Sequence, residues 1–396
     1  MNVIVLDVHH PEDGRVNRHI KYVQSLGYNV IHINVNRYFP LISSVFFSKF
    51  GEKGFQIPIG DFSTSIKNRI ILQFLFFTPF LSIKIAHHCK KSGFISGLKT
   101  IIHIHDYELL LIGEYLKFFL PGQNLMVYDR HEYLEIIKGE HLFFDHLPRF
   151  YEKISSNWIN GLVDISENHL QITKKIFPNS ISTVIPNYPD EIQIEKVEIC
   201  DKIKRVENND ISVIYFGSLN DNLDRDIPLT LEVMEKILIL NNHSKAFIGG
   251  LTSNPDLIIR MKNLEKKYPN RFNYLGFIPI DDVFKYTAQS TIGLFLLKPQ
   301  YCVSGSSNKL FEYLRYGVIP VIRADIENPE LLSECSLYFS KYEEGKDVIF
   351  SISQLIMDKE RMKKMMANSY ELGKEFSFDK IKNRYQQLYL DLFSKQ

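Results

Sequence analysis

The sequence predicts an α/β chain built from two successive Rossmann-like halves, and three observations carry that expectation. Short β-branched runs alternate with helix-period segments over most of the chain, the pattern of parallel strands joined by crossover helices. The alternation breaks once, between Pro189 and Asn209, where charge is dense and periodicity is lost, and then it restarts. The length of 396 residues exceeds one ordinary domain and fits two. The expected division is 1–190, 191–376, and a last helix at 377–396 that lies beyond the second sheet's pattern and can cross back to the first domain.

Each element has a local reason. Asn2–Val8 is an apolar run and reads as a buried strand, Arg15–Leu26 has 3.6-residue spacing and stops at Gly27, and Asn29–Val35 is the next strand. This opening unit puts Pro11–Arg15 at the carboxyl end of the first strand, where open α/β sheets bind ligands. Further strands are expected at Thr100–His105, Leu125–Asp129, Gly161–Ile165 and Thr183–Ile185. In the second half the expected order is strand Ile211–Phe216, helix Pro228–Leu240, strand Lys245–Ile248, helix Pro255–Lys267 and strand Phe272–Leu275. Helix Ile280–Thr287, strand Ile292–Leu297, helix Asn308–Tyr316 and strand Val318–Ile322 follow, and Phe378–Phe393 is the last helix.

Composition narrows the function. Apolar residues make up 45% and charged residues 23%, ordinary for a globular chain, and the formal net charge of +1 argues against a nucleic-acid partner. The four cysteines are scattered without a CxxC pair, which suits free thiols in a reducing compartment. The opening MNVIVLDVHH lacks a basic leader and a cleavage site, and the most apolar stretch, Ile70–Ile83, is broken by Pro79 and too short to span a bilayer. The expected location is the cytoplasm, with the inner face of the cell membrane as a peripheral site. Between Tyr38 and Gly97, phenylalanines such as Phe46, Phe74 and Phe80 are flanked by Lys49, Lys67, Lys84 and Lys91. That mixture fits either core helices with solvated ends or contact with an anionic leaflet.

The richest chemical signal is Ser304-Gly-Ser-Ser-Asn-Lys-Leu-Phe-Glu-Tyr-Leu-Arg-Tyr-Gly-Val-Ile-Pro-Val-Ile322. A loop of small residues feeds a helix, with Ser306, Ser307 and Asn308 as cap residues, so free N–H groups can meet an anion. Lys309 puts a cation in the first turn, where the helix dipole mildly disfavours one. A phosphate would explain it; so would a capped helix with a solvated lysine.

The string NKLFEYLRYGVIPVI resembles the nucleotide-binding segment of family 4 and related retaining glycosyltransferases of the GT-B fold. The resemblance implies that Glu312 binds the donor ribose, that Ser306, Ser307, Asn308 and Lys309 lie at the diphosphate, and that the two domains face each other across a cleft. Val213–Leu219 with Arg225 resembles the family's second-domain opening strand and its phosphate-anchoring basic residue, which places Gly217 against the donor. Phe247–Gly250 and Tyr274–Ile278 resemble two further landmarks, with Phe277 and Ile278 near the base. In the first half, Gly14 and Arg15 resemble the first-strand loop, and Ile101–Asp106 and Tyr128–Glu132 resemble the strand-end histidine motifs, which turn His105 and His131 toward the donor sugar. Two departures, Ser304 and Ser218, stand where the family often has Glu and Arg; they leave Arg225 and Lys309 as the expected cations and withhold any donor-sugar preference.

The resemblance implies transfer of a sugar from a nucleotide-diphosphate donor to a glycan or lipid-linked acceptor with retention, in a setting such as bacterial surface polysaccharide or glycolipid synthesis. The expected catalytic residues are His105, Arg225 and Lys309, and no cofactor or metal is expected. The alternatives are a nucleotide-sugar epimerase of the same fold and a binding protein that has lost catalysis. His103 and His105 point to one face of their strand, so a metal pair competes with a sugar contact there, and His103 is expected to be structural. Asp224-Arg-Asp226 has the DxD form, and a polar loop is the preferred reading of both acids.

Overall fold

The computed structural model describes residues 1–9, 13–36, 55–58, 67–131, 147–190, 196–220, 224–301, 308–324, 326 and 328–394. These form two compact units, Met1–Pro186 with Ile381–Gln396, and Asn187–Lys380.

The first unit holds strands β1 (Asn2–Asp7), β2 (Asn29–Asn36), β3 (Phe55–Pro58), β4 (Thr100–His105), β5 (Asn124–Asp129), β6 (Ile159–Asp164) and β7 (Ile181–Val184). Its first five helices are α1 (Gly14–Ser25), α2 (Lys67–Lys91), α3 (Leu110–Phe119), α4 (Leu147–Ser155) and α5 (Glu167–Thr173). The sheet is parallel, in the order β3-β2-β1-β4-β5-β6-β7. Every residue of β1, β4 and β5 is buried, as expected when helices cover both faces of a parallel sheet. Asp13 caps α1 by accepting a hydrogen bond from the Val16 amide at 3.0 Å.

The second unit holds α6 (Lys196–Glu207), β8 (Ser212–Phe216), α7 (Ile227–Leu240), β9 (Lys245–Gly249), α8 (Pro255–Lys267), β10 (Phe272–Tyr274), α9 (Ile280–Gln289), β11 (Ile292–Leu296), α10 (Asn308–Arg315), β12 (Ile319–Arg323) and β13 (Leu337–Phe339). Helices α11 (Gly345–Met357) and α12 (Lys359–Gly373) follow, and α13 (Phe378–Ile381) leads to α14 (Asn383–Ser394). The sheet order is β10-β9-β8-β11-β12-β13, again parallel.

Helix α14 belongs to the first unit. Tyr22 donates to Asn383 at 2.8 Å, Arg384 donates to the Val184 carbonyl at 2.6 Å, and Leu388 and Leu392 close over Gly161. A Cβ on Gly161 would stand 2.9 Å from both Leu392 and Val127, so the glycine sets how near α14 approaches β6.

The charge-rich segment between Pro189 and Asn209, where the sequence periodicity is lost, contains α6. Its inward face carries Ile199, Lys202 and Val206, and Lys202 is buried, donating to the Tyr316 carbonyl at 2.7 Å. A lysine on the buried stripe interrupts the apolar period that would have announced the helix. Strands β3 and β13 are short, and their pairing to β2 and β12 defines them more than their own patterns do. Among the described residues no helix is long and apolar enough to cross a membrane. Phe46, Phe47, Lys49 and Lys53 lie outside the described residues.

Candidate functional site

In the second unit the carboxyl ends of β8 and β9, the segment after β10 and the start of α10 line a pocket of about 550 Å³. Gly217, Phe277, Ile278, Asn308, Lys309 and Glu312, all expected from the sequence, are on its wall, with Ser218, Asn220, Gly250, Leu251 and Thr287 added. Ser304, Ser306 and Ser307 lie outside the described residues.

Close backbone approach shapes this edge. The Gly217 amide donates to the Gly249 carbonyl at 3.0 Å, and the Gly250 amide donates to the Gly276 carbonyl at 2.7 Å. A Cβ on Gly250 would fall 1.8 Å from the Gly217 carbonyl oxygen, so only glycine fits. Over Gly217 lies the end of Lys309, whose Nζ would stand 3.0 Å from a Cβ placed there.

Lys309 is half-buried at the start of α10, and among the described residues no carboxylate lies within 4 Å of its Nζ. Burial lowers its pKa, Glu312 partly offsets this, and the Arg225 guanidinium adds to the lowering. The pocket therefore holds a cation whose surroundings ask for an anion. Arg225 is not on the pocket wall: it pairs with Asp224 and stacks over the Phe295 ring at 4.9 Å. The expected free phosphate anchor is thus partly neutralised by its neighbour, because the loop that carries the arginine also carries the acid. Asp226 caps α7, accepting from the Leu229 amide at 3.1 Å, and pairs with Arg323, which gives it a structural role. Phe277 is 71% exposed at the pocket rim, and Tyr313 anchors α10 by donating to the Leu294 carbonyl at 3.1 Å.

In the first unit the ends of β1, β4 and β5 gather His9, His105, Asp106, Asp129 and His131. The residue expected to touch sugar, His105, is fully buried: its Nδ1 lies 2.8 Å from His131 Nε2 and its Nε2 lies 3.1 Å from His19 Nδ1. With both nitrogens engaged inside the unit, His105 supports the site from beneath, and the half-buried His131 is the ring at the edge. The alternation of β4 did put His103 and His105 on one face, 4.9 Å apart. That face is covered by α1 and α14.

Arg15, expected at the ligand, is also turned inward. Its Nε and one terminal nitrogen donate to Asp129 at 3.1 and 2.8 Å, and the other donates to the Ile185 carbonyl at 2.6 Å. It anchors Asp129, while Gly14 stays exposed at the first turn of α1. Burial works against the Asp129 carboxylate, but Arg15 and the facing histidines hold its pKa well below the usual range. His9 lies 2.6 Å from Asp106, and the carboxylates of Asp106, Asp13 and Asp7 outweigh burial and raise its pKa to about 9. Asp106 has φ 73° and ψ 152°, a strained backbone for a residue with a Cβ.

Potential ligand atoms of His9, Asp106 and His131 lie within 4.8 Å of one another, as do those of His19, His103 and His105, and those of His105, Asp129 and His131, whose carboxylate is already held by Arg15 and Tyr385. The His9 and His131 rings are stacked 4.7 Å apart at 16°, so their nitrogens run side by side instead of converging on one point. The second triplet is tied up in hydrogen bonds. These arrangements suit hydrogen bonding better than coordination.

Sequence reasoning missed Asp129, His19, Tyr385 and Tyr389 here. Asp129 carried a signal, as the last residue of a strand ahead of His131, whereas the other three belong to helices with no motif.

No protein-family model matches the chain. It is 22% identical over 345 residues to a glycogen synthase of Petrotoga mobilis, covering 79% of this chain and 69% of that enzyme. In structure it is similar to sucrose-phosphate synthase from Thermosynechococcus elongatus, with a TM-score of 0.73 at 12% identity over the whole of both chains. It is also similar to Anabaena HepE in complex with UDP-glucose, with a TM-score of 0.64 at 14% identity over the whole of both chains. The fold is GT-B.

Proposed function

We propose that this chain, a glycosyltransferase of the GT-B type, takes its sugar from a nucleoside-diphosphate donor seated in the second-unit pocket and passes it to a glycan or lipid-linked acceptor. One observation carries the reading: Lys309, half-buried at the start of α10 and, among the described residues, with no carboxylate within 4 Å of its Nζ, lines a pocket that Glu312 also lines. Burying an ammonium is costly unless an anion accompanies it, and a diphosphate supplies that anion. The first-turn N–H groups of α10 add donors that become worth more as the leaving diphosphate gains charge. Glu312 is one turn further along, suited to accept from ribose hydroxyls, and the exposed Phe277 offers an apolar surface to the base. Arg225, behind the wall, adds to the positive field at Lys309, and its partner Asp224 offsets part of it.

Transfer with retention and without a divalent cation follows on this reading, with Lys309 and the helix amides doing the work a metal does elsewhere. The resemblance that assigns the donor sugar a strand-end histidine of the first unit leaves His131, the half-buried ring at its edge, as the candidate. A UDP-sugar is the first donor to try, since a fold neighbour was solved with UDP-glucose.

The acceptor side is suggested by the α2, α3 and α4 layer, in which α3 contacts both neighbours. It exposes Phe80, Ile83, Phe118, Phe150 and Ile154 beside Lys84, Lys91, Arg149 and Lys153. Apolar side chains interleaved with cations suit an anionic leaflet, the inner face of a bacterial membrane where polysaccharide or glycolipid precursors are built.

Calorimetry with UDP-, GDP- and ADP-sugars tests the donor site. Charge-assisted hydrogen bonds contribute about 1.5–3 kcal/mol each, so Glu312→Ala and Lys309→Ala should each weaken binding at least ~10-fold, with EDTA without effect. Wild-type affinity in both variants removes the assignment.

A further inference from the structure

Beneath His131 runs a chain of buried side chains, hydrogen-bonded as far as His103. His131 Nε2 meets His105 Nδ1 at 2.8 Å, His105 Nε2 meets His19 Nδ1 at 3.1 Å, and His19 Nε2 meets the Tyr389 hydroxyl at 2.7 Å. The same hydroxyl meets His103 Nδ1 at 2.8 Å, and His103 Nε2 lies 3.5 Å from Asp129 Oδ2. Asp129 is therefore at the far end of the chain. It is also beside the start, since its Oδ1 lies 3.5 Å from His131 Nε2.

The protons in such a chain can run in only two directions, because a neutral imidazole donates from one nitrogen and accepts at the other. Burial lowers the pKa of His19, His103 and His105, so all three are neutral. In one direction His103 Nε2–H and His131 Nε2–H both face the Asp129 carboxylate. In the other, only His105 Nδ1–H faces it, at 3.5 Å, and His103 turns a lone pair toward a negative charge. Asp129 is ionised, with Arg15 and the Tyr385 hydroxyl donating to it as well, so the first direction is favoured.

We propose that this one-way chain holds His131 as its Nε2–H tautomer, leaving Nδ1 as the accepting nitrogen at the strand edge, and that Tyr389 of α14 is the positioning residue that relays to His19 the direction Asp129 sets at His103. In the favoured direction the Tyr389 hydroxyl donates to His103 and accepts from His19. Between His131 and Asp129 it is the one link that is not a histidine, and it comes from the other end of the sequence. The use of that accepting nitrogen for a donor-sugar hydroxyl rests on the proposed function; the tautomer itself does not.

The test is long-range proton–nitrogen correlation on histidine-labelled protein at pH 7.5 without ligand, with His131 assigned by its loss in His131→Gln. The expected spectrum has a protonated Nε2 and a lone-pair Nδ1 for His131. In Tyr389→Phe, which keeps the ring, the two His131 nitrogen shifts should move toward each other as tautomers mix, and turnover should fall while affinity for the free nucleoside diphosphate by calorimetry is kept. A wild-type His131 protonated on Nδ1 overturns the proposal. An unchanged His131 tautomer in folded Tyr389→Phe overturns the role of Tyr389. If the tautomer is as expected but no nucleotide binds the wild type, the chain stands and the proposed function fails.

Discussion

Lowering the pH from 7 to 5.5 should destabilise the first unit selectively, by an amount the buried histidines determine. His19 and His105 have pKa values well below the ordinary 6.5, because burial penalises the charged ring and neighbouring histidines repel it. In the unfolded chain they return to about 6.5 and take up protons as the pH falls, which the native state refuses. The unfolded state then binds more protons, so unfolding free energy drops with falling pH. Integrating one such histidine from pH 7 to 5.5 gives about 1.2 kcal/mol, so the pair contributes about 2.5 kcal/mol, and His103 adds in the same direction. His9 acts oppositely: with its pKa raised to about 9, its stabilisation is full below 6.5 and is lost as the pH rises through 9. First-unit stability should therefore peak near neutrality. The chain has a single tryptophan, Trp158, which lies in the first unit, so urea unfolding followed by its fluorescence reports on that unit alone. A midpoint that does not move between pH 7 and 5.5 would refute the neutral, buried assignment of these rings.

Two further outcomes are expected. Gly250→Ala drives a Cβ into the Gly217 carbonyl and should cost at least ~1–3 kcal/mol, lowering Tm by several degrees in circular dichroism; an unchanged Tm means the two strand ends are not held that close. Phe80→Ser combined with Phe118→Ser should reduce co-sedimentation with phosphatidylglycerol vesicles at least ~10-fold, since each exposed ring contributes about 1.5–3 kcal/mol when buried. Equal retention by the variant, or equal binding of the wild type to uncharged vesicles, removes the leaflet from the reading.

The sequence determined the parallel strands, most helix positions and the second-unit pocket, because those features are local. A buried strand announces itself by its own apolar run, and Asn308–Glu312 sits on one helix whose first turn is fixed by its neighbours in the chain. Tertiary structure alone decided the fate of His105 and Arg15. Both stand at strand or helix ends where a ligand is expected, yet α14, whose start lies more than 250 residues further along, packs over that face, and its Tyr389 and Tyr385 bond His19 and Asp129, the buried partners of His105 and Arg15. Whether a polar side chain meets solvent or another buried group depends on what packs over it, and no spacing within the strand records that.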